Sequence, residues 1–587
     1  MRLRSLIMTL ALIISAGSGG QTAVYGEGVK PTTIMIYMNG SDLESEIGAA
    51  TEDLIEMLES GLRSQNADIV ILTGGANHWQ NDVIPANECV LWNIEDGALF
   101  ELERIGLRNM GDPDTLADFI IYGMTHFPAE KYGLVLWDHG GGAIAGYGHD
   151  EKFAYDDEGS LTLLEMDYAF HKAGLSGQKL EWLGFDSCLM ATIEMALISS
   201  QYAKYLVASE DLEPGDGWDY TFLSMLNRNP RASGYILGRE IVDTFMAFYG
   251  PNSDEILTLS VTDLNKVQPV MEAMGLLMAQ CSDKLLSDRS DNFAPLAKRR
   301  RNTKTFGEGS PRDNQSDMVD IGDMAHQLSD LFPKEAAQVF AALNDAVLYN
   351  RHNSRIPLYG LSSYYVYGGP FYESLDLYAQ LNVDEAYTAY LLKFFDQLTH
   401  RDVRRTRSSQ GQETTEIVDT DLTLWKPIIG RPGYYQMLGI QYEDEDREKL
   451  LWPYLNGKPV NLYRTATSIG HTQYAIPARV NGKDCDIIVC MRGEESKVLG
   501  CRYEEGLVKQ KGYDIFKPGD RVAIYYPVRN FQSDESEGYE WLATGEMKIK
   551  KPLKLEWKQA RGERYYCLKE TDIYGQAKYG ALILQRK

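Results

Sequence analysis

Cysteine and histidine are scarce in this chain, and acidic residues outnumber basic ones. The 587 residues include 7 cysteines and 9 histidines. The cysteines are odd in number and have no repeating spacing, which argues against a disulfide framework and gives no zinc pattern. With 58 Lys and Arg against 84 Asp and Glu, the formal net charge is −26. This balance argues against a nucleic-acid partner and favours cationic ligands.

Long apolar runs are also missing, so the sequence predicts no membrane span. The N-terminal segment MRLRSLIMTLALIISAGSGG starts with Arg2 and Arg4, continues with an apolar run over residues 6–14 and ends in small residues. This order is typical of a secretory signal peptide, which we place at residues 1–24. The apolar run is shorter than the ~20 residues that a span requires. We expect an exported protein that is secreted, periplasmic or held at the cell surface.

Strand and helix patterns alternate from about residue 31 and predict an α/β fold. Buried strand patterns such as TTIMIYM, ADIVILTGG and YGLVLWDHG are separated by amphipathic helices, which favours a mostly parallel central sheet covered on both faces. This first domain is predicted over residues 25–265, and a helical extension that completes it over 266–400. A charged, Ser- and Thr-rich linker is predicted over 401–421. Aromatic and β-branched strands with short turns predict an all-β domain over 422–587.

Two of the predicted strands end on reactive side chains. LVLWDHGGG ends on His139, and LGFDSC ends on Cys188. Because parallel strands place their carboxyl ends at one edge of a sheet, both side chains are expected there, where they favour nucleophilic catalysis. A helix predicted over residues 189–200 would lower the thiol pKa at its N-terminus. Taken alone, Cys188 also fits an inert buried thiol.

The glycines that follow His139 leave backbone N–H groups uncovered. Gly140 is therefore a candidate donor to a developing oxyanion, while a simple tight turn is the alternative. The run HGGG also occurs in the oxyanion loop of lipases and esterases. That interpretation requires a G-x-S-x-G motif, which is absent after the signal peptide.

Carboxylates accompany the candidate nucleophile. Asp186 shares a strand face with Cys188, and Asp216 lies in the acidic loop ASEDLEPGDGWDY at the same predicted edge. Two carboxylates there can bracket an Arg or Lys side chain. The alternatives are a helix N-cap for Asp186 and a turn residue for Asp216.

The motifs LVLWDHGGG, LGFDSCLMATIE and ASEDLEPGDGW resemble the clostripain family of cysteine peptidases, which belongs to the clan of caspases, legumains and gingipains. The resemblance covers about residues 31–400 and is most specific over 132–220. It implies a caspase-like αβα sandwich and a dyad of Cys188 and His139. It further implies endopeptidase cleavage after Arg or Lys, an S1 pocket formed by Asp186 and Asp216, and an oxyanion donor at Gly140.

The resemblance also implies a zymogen that cuts itself after a basic residue beyond the catalytic histidine. The matching segment, residues 148–160, offers only Lys152. Some members depend on calcium, but no EF-hand-like spacing locates a site here, and no other cofactor is implied. The expected partners are protein or peptide substrates with a basic P1 residue. The alternative is an exported, non-catalytic binding protein whose β-domain engages glycans or proteins.

Overall fold

The computed structural model describes residues 29–153, 159–251, 253–286, 292–312, 316–368, 372–399, 417–441, 451–503, 508–532, 539–572 and 577–584. The predicted signal peptide at 1–24 and the first part of the predicted linker, residues 401–416, lie outside these ranges.

A nine-stranded sheet forms the centre of the first domain. Across the sheet, the described strands are Val347–His352, Thr258–Asp263, Ala203–Ala208, Leu180–Asp186, Ala129–Trp137, Lys30–Asn39, Ala67–Gly74, Cys89–Glu95 and Ala98–Gly106. The strands from Ala203–Ala208 through Ala67–Gly74 are mutually parallel, and those at the two edges pair antiparallel. The prediction of a mostly parallel sheet is therefore confirmed.

Helices cover both faces of this sheet. Along the strand Lys30–Asn39, Met35 and Tyr37 pack in one hydrophobic core, while Ile34 and Ile36 pack in a second core on the opposite face. The first core is covered by Pro113–His126, Leu163–Lys172, Ile193–Ser199 and Val267–Leu286, and the second by Ala49–Glu59, the short 3₁₀ helix Tyr220–Asn227 and Gly234–Tyr249. Burial on both faces explains why the central strands are continuously apolar and confirms the αβα sandwich.

The helical extension completes the first domain and also adds strands to it. Its helices after Val267–Leu286 are Phe293–Asn302, Ile321–Leu328, Pro333–Ala346, Tyr372–Leu381 and Glu385–Thr399. A helix predicted over 334–348 ends at Ala346, because the next residues pair with Thr258–Asp263 as an edge strand. A helix predicted over 318–331 begins instead with the strand Met318–Asp320, which joins Thr305–Phe306 and Ser362–Tyr364 in a small sheet. Tertiary pairing overrides local helical periodicity at both places.

The C-terminal domain is all-β, as predicted. Its first described strand begins at Ile417, before the predicted domain boundary at residue 422. The described strands are Ile417–Pro427, Tyr434–Gln441, Leu451–Leu455, Lys458–Pro459, Tyr463–Ser468, His471–Val480, Lys483–Arg492, Glu495–Tyr503, Arg521–Asn530, Glu540–Ala543, Met547–Lys548, Leu555–Gln559, Tyr565–Asp572, Ala577–Tyr579 and Ile583–Leu584. In the part of the chain that the structure describes, we find no helix that is both long and apolar enough to cross a bilayer.

The β-domain packs directly against the α/β domain. The carboxylate of Asp254 accepts a hydrogen bond of 2.9 Å from Arg492 Nε and pairs with the ammonium of Lys497. A second ion pair joins Arg312 to Asp484 at 2.9 Å. These partly buried contacts fix the β-domain against the edge of the sheet at which the candidate site lies.

Candidate active site

The two strands that carry the candidate nucleophile and base are neighbours in the sheet. The strand Ala129–Trp137 pairs parallel with the strand Leu180–Asp186, and Trp137 lies opposite Asp186 in the register. His139 and Cys188 each follow two positions after this last pair, so both emerge at the same edge of the sheet. The sequence predicts this juxtaposition from strand ends alone, and the parallel register brings the two residues to one margin.

Gly140 is needed for close contact between the two strand ends. A Cβ atom at Gly140 would lie 2.0 Å from the carbonyl oxygen of Cys188, a distance that side chains do not tolerate. The absence of a side chain at this position therefore lets the backbone after His139 approach the backbone of the candidate nucleophile. Close backbone approach is one of the standard uses of glycine.

Replacing Gly140 with alanine is expected to destabilise the protein by about 1–3 kcal/mol, because the added methyl group overlaps the Cys188 carbonyl. The free energy of unfolding from urea denaturation measures this loss. Gly177→Ala is the matched control, since its Cβ would meet only the Gly174 oxygen, at 3.6 Å. Equal losses of unfolding free energy in the two variants would contradict a requirement for glycine at position 140.

His139 is held at both ring nitrogens. Its Nε2 lies 2.8 Å from Asp42 Oδ1, and its Nδ1 accepts a 2.8 Å hydrogen bond from the backbone N–H of Lys511. An Nδ1 that accepts requires the proton on Nε2, so Asp42 orients the neutral ring in one tautomer. Burial raises the pKa of Asp42, but the positive charge that His139 carries when it is protonated, together with the hydrogen bond between the two side chains, outweighs this and lowers the pKa to about 2.

Cys188 lies in a turn and not at the start of a helix, contrary to the sequence expectation. The helix begins only at Ile193, with Thr192 as its N-cap, because backbone hydrogen bonds from Leu189 and Ala191 tie the turn to the loop after Ala203–Ala208. The thiol is buried, and its Sγ accepts a 3.2 Å hydrogen bond from the backbone N–H of Glu213. Burial raises the thiol pKa to about 12, the opposite of the predicted lowering.

The raised pKa of Cys188 predicts a distinctive pH dependence of its alkylation. Since the thiolate fraction increases tenfold per pH unit below the pKa, labelling of the intact chain by iodoacetamide should accelerate about tenfold per unit from pH 7 to pH 10. Mass spectrometry of the Cys188 peptide measures the rate separately from the six other cysteines. A plateau near the pKa of an ordinary thiol, about 8.5, would contradict the prediction.

A buried acidic pocket lies beside His139 and Cys188. Asp186 and Glu213 are both buried, and Asp186 Oδ2 accepts hydrogen bonds from the Tyr220 hydroxyl at 3.0 Å and the Trp218 backbone N–H at 3.3 Å. Burial raises the pKa of Glu213 well above its usual range, with the nearby Lys511 ammonium acting in the opposite direction. Two carboxylates so close together in a dry site require a cation for charge balance.

That cation is Lys511, which comes from the β-domain. Its fully buried ammonium pairs with Asp186 Oδ1, donates to the Asp186 carbonyl at 3.1 Å and lies 3.6 Å from Glu213 Oε2. It also lies 5.3 Å from the centroid of the Trp137 ring, within the range of a cation–π contact. The pocket thus surrounds a lysine side chain with carboxylates and an aromatic face.

The structure brings four of the predicted site residues together: His139, Gly140, Asp186 and Cys188. Asp216 is exposed, and Glu213 of the same loop takes the buried position next to the ammonium. Sequence reasoning missed Glu213, although it lies within the quoted acidic loop ASEDLEPGDGWDY.

Two further site residues gave no local signal. Asp42 follows the strand Lys30–Asn39 as the N-cap of the short π-helix Leu43–Ile47, and Lys511 lies 325 positions from its partner Asp186. Asp42 ends one more strand of the same parallel set, and this topological signal could have identified it.

Lys152, the predicted self-cleavage position, lies outside this cluster. Its ammonium donates to the Ala76 carbonyl, and its backbone N–H donates to Asp150 Oδ1 at 2.9 Å. Residues 154–158, which follow it in the predicted processing segment, lie outside the described ranges.

Metal binding has no candidate position in the described ranges. No three His, Cys, Asp or Glu residues there are grouped to hold a metal ion. The calcium dependence of some relatives, which the sequence left open, stays a prediction without a site.

The fold and site define an α/β protein with a thiol and an imidazole at one sheet edge. The model of the clostripain family, Peptidase_C11, matches residues 36–386, and the chain belongs to this family. Clostripain from Hathewaya histolytica is 26% identical over 272 residues, which cover 40% of this chain and 45% of that protein. The chain thus spans about half the length of the curated relative it matches.

Two solved structures are similar to part of this chain. A secreted C11 cysteine protease from Bacteroides thetaiotaomicron, in complex with an irreversible peptide inhibitor, is 16% identical with a TM-score of 0.45; the match covers 62% of this chain and 99% of that one. An inactive zymogen C11 protease from Parabacteroides distasonis is 20% identical with a TM-score of 0.45, and the match covers 62% and 98% of the two chains.

Proposed function

We propose that this protein is an exported cysteine endopeptidase that cleaves peptide bonds after lysine or arginine. The observation that carries the proposal is Lys511, whose ammonium is held by Asp186 and Glu213 and whose backbone N–H donates to His139. A pocket that accommodates a lysine of the chain itself has the chemistry to accommodate the basic P1 residue of a substrate. Membership of the clostripain family supports the same conclusion.

The pocket selects a cation because its carboxylates are buried. Tyr220 and Trp218 hold the Asp186 carboxylate in place, and the Trp137 ring lies over the site of the ammonium. A neutral side chain would leave Asp186 and Glu213 without a counter-charge in a site that water scarcely reaches. Truncating one partner of a buried charge pair typically costs 2–5 kcal/mol, which sets the size of the discrimination.

The reaction begins with attack of the Cys188 sulfur on the carbonyl carbon of the P1 residue. The thiol proton passes to His139, the carbonyl electrons move onto its oxygen, and the Gly140 N–H is our proposed donor to that oxyanion. When the carbonyl re-forms, the C–N bond breaks and His139 gives its proton to the leaving amine. Asp42 is the positioning residue that holds the imidazole at Nε2 throughout.

Water completes the cycle by hydrolysing the thioester. His139 takes a proton from the water as the water oxygen attacks the acyl carbon. The C–S bond then breaks to release the acid, and His139 returns the proton to the sulfur of Cys188. The raised thiol pKa describes the closed state with Lys511 in the pocket, in which burial disfavours the thiolate. A substrate must therefore enter a site from which Lys511 has withdrawn.

The test is the rate of hydrolysis of fluorogenic peptides with Lys, Arg or Gln at P1. Because Lys511 fills the pocket in this structure, the wild-type chain and Lys511→Ala are both assayed. We expect kcat/KM for Lys and Arg to exceed that for Gln by about 10²-fold or more. Equal rates for all three peptides would contradict the basic P1 preference. If none of the three peptides is hydrolysed and a lysyl chloromethyl ketone does not label Cys188, the result favours the non-catalytic binding protein.

Export and processing belong to the same proposal. N-terminal sequencing of the protein recovered outside the cell is expected to begin shortly after residue 24, and self-cleavage would add a second N-terminus after Lys152. Exported protein with a single N-terminus would support secretion and contradict the predicted cleavage after Lys152.

A further inference from the structure

The β-domain sends one segment, residues 509–512, across the candidate active site. The backbone N–H of Lys509 donates to the Gly140 carbonyl at 3.1 Å, that of Lys511 donates to His139 at 2.8 Å, and that of Gly512 donates to the Glu213 carbonyl at 3.0 Å. The segment therefore contacts both strand ends and the acidic loop at once. We call residues 509–512 the plug.

The plug is buried along its length. Lys509, Gln510 and Lys511 are exposed by 6%, 8% and 0%, although lysine and glutamine are rarely buried in folded proteins. Burial by itself lowers the pKa of Lys511, but the charges of Asp186 and Glu213 outweigh it and keep the ammonium protonated. A lysine fully desolvated against two carboxylates is a ligand-like contact and not a solvated surface residue.

The direction of the plug decides whether it is a substrate. To cleave after Lys511, His139 must give a proton to the amide nitrogen of Gly512, the leaving group. In the structure His139 faces the amide nitrogen of Lys511 itself, while the N–H of Gly512 donates to the Glu213 carbonyl. The amide that would have to leave is thus held away from the imidazole.

The plug also restrains the reactive groups. The Lys511 N–H occupies His139 Nδ1, and Asp42 occupies Nε2, so both ring nitrogens are engaged. Glu213 of the acidic loop contacts both the plug and the thiol. Its carbonyl accepts the Gly512 N–H, and its own N–H donates to the Cys188 sulfur. The closed arrangement therefore keeps the thiol buried and protonated and the imidazole occupied.

We propose that the C-terminal β-domain is an intramolecular inhibitor. Its Lys511 fills the acidic pocket proposed for the P1 residue of a substrate, in an orientation that the enzyme does not cleave. The inference rests on the proposed function for the identity of the pocket. Ion pairs of the β-domain with Asp254 and Arg312 hold the domain that carries the plug against the α/β domain. Activity then requires displacement or removal of the β-domain, with a basic substrate side chain taking the place of Lys511.

The first experiment removes the plug's side chain. Lys511→Ala in the full chain is expected to raise hydrolysis of Lys and Arg peptides at least tenfold and to accelerate alkylation of Cys188 by iodoacetamide at least tenfold. Lys517→Ala is the matched control, because this exposed lysine of the same domain pairs with Glu46 only at 3.7 Å. Wild-type rates in both readouts would overturn the proposal.

A second variant keeps the pocket charges intact. A side chain at Gly512 would place its Cβ 2.5 Å from the Gly215 Cα, and the residue has a φ of 72°. Gly512→Val is therefore expected to unseat the plug and reproduce both accelerations. Gly482→Val is the matched control, since Gly482 has a φ of 92° and open space around it. If neither Gly512→Val nor Lys511→Ala accelerates hydrolysis or alkylation, and thermal melts show that both proteins are folded, the proposal is overturned.

Alkylation separates this proposal from the proposed function, because it requires an accessible thiol but no peptidase activity. Faster alkylation of the plug variants without hydrolysis supports the plug and contradicts the peptidase. Equal hydrolysis and equal alkylation in all chains support the peptidase and contradict the plug. Mass spectrometry of wild-type protein after incubation should find the bond between Lys511 and Gly512 intact, and cleavage at this bond would show that the segment is a substrate.

Discussion

Replacing Cys188 with alanine is expected to abolish hydrolysis of lysine and arginine peptides, with a loss in kcat/KM of about 10⁴-fold or more. Covalent catalysis requires a nucleophile that forms the thioester, and alanine offers none. Binding through Asp186 should survive, because the acidic pocket does not include the sulfur. The measurement is kcat/KM in the Lys511→Ala chain, in which the plug side chain is absent.

The control for this variant is a second buried free cysteine. Cys281 lies in the helix Val267–Leu286, is fully buried and forms no disulfide. Cys281→Ala should lose some stability through the cavity it leaves but should retain hydrolysis within about twofold. Comparable activity losses at Cys188 and Cys281 would point to a folding defect, and retained activity in Cys188→Ala would contradict the mechanism.

Replacing Asp186 with asparagine is expected to remove the preference for basic residues at P1. The amide keeps the shape of the side chain but leaves a buried cation without its nearest counter-charge, at a cost of about 3 kcal/mol or about 10²-fold in kcat/KM. In the Lys511→Ala chain, where the plug side chain is already absent, the rate for peptides with Gln at P1 should change little, because no charge pair is lost. The readout is the ratio of kcat/KM for Lys and Gln peptides.

This ratio is informative because release of the plug affects both peptides equally. Asp345→Asn is the control, since Asp345 is exposed and pairs with Lys266 at the surface. An unchanged ratio in Asp186→Asn would contradict the assignment of the pocket.

The same ratio identifies the second acidic contributor. The structure places the Glu213 carboxylate 3.6 Å from the Lys511 ammonium, whereas Asp216 is exposed. Glu213→Gln should therefore lower the ratio more than Asp216→Asn. The reverse order would favour Asp216, the residue that the sequence indicated.

Strand patterns in the sequence were sufficient to place the centre of the site. Strands that are apolar throughout predict a sheet buried on both faces, and a reactive residue just after such a strand must emerge at its carboxyl edge. His139 and Cys188 both follow this rule, and applying it requires no knowledge of the details of the fold. Gly140 was predicted as an oxyanion donor, which stays a prediction; its close approach to the Cys188 carbonyl is a finding of the structure.

Local patterns failed where distant segments compete for the same residues. The helix after Cys188 starts at Ile193 and not at residue 189, because the turn bonds to the loop after the neighbouring strand. The thiol pKa is raised for a related reason, since other segments bury the sulfur. Neither the partner of the turn nor the cover over the sulfur is visible in the sequence around them.

The sequence by itself determined the α/β class, the all-β C-terminal domain, and the meeting of a histidine and a cysteine at one sheet edge, because strand periodicity and chain direction are local properties. Only the tertiary structure decided which carboxylate joins Asp186 and what fills the pocket between them. Glu213 and Lys511 owe their roles to burial, and burial depends on which remote segments pack together. Lys511 lies 325 positions from Asp186, and no local pattern can encode a contact over that separation.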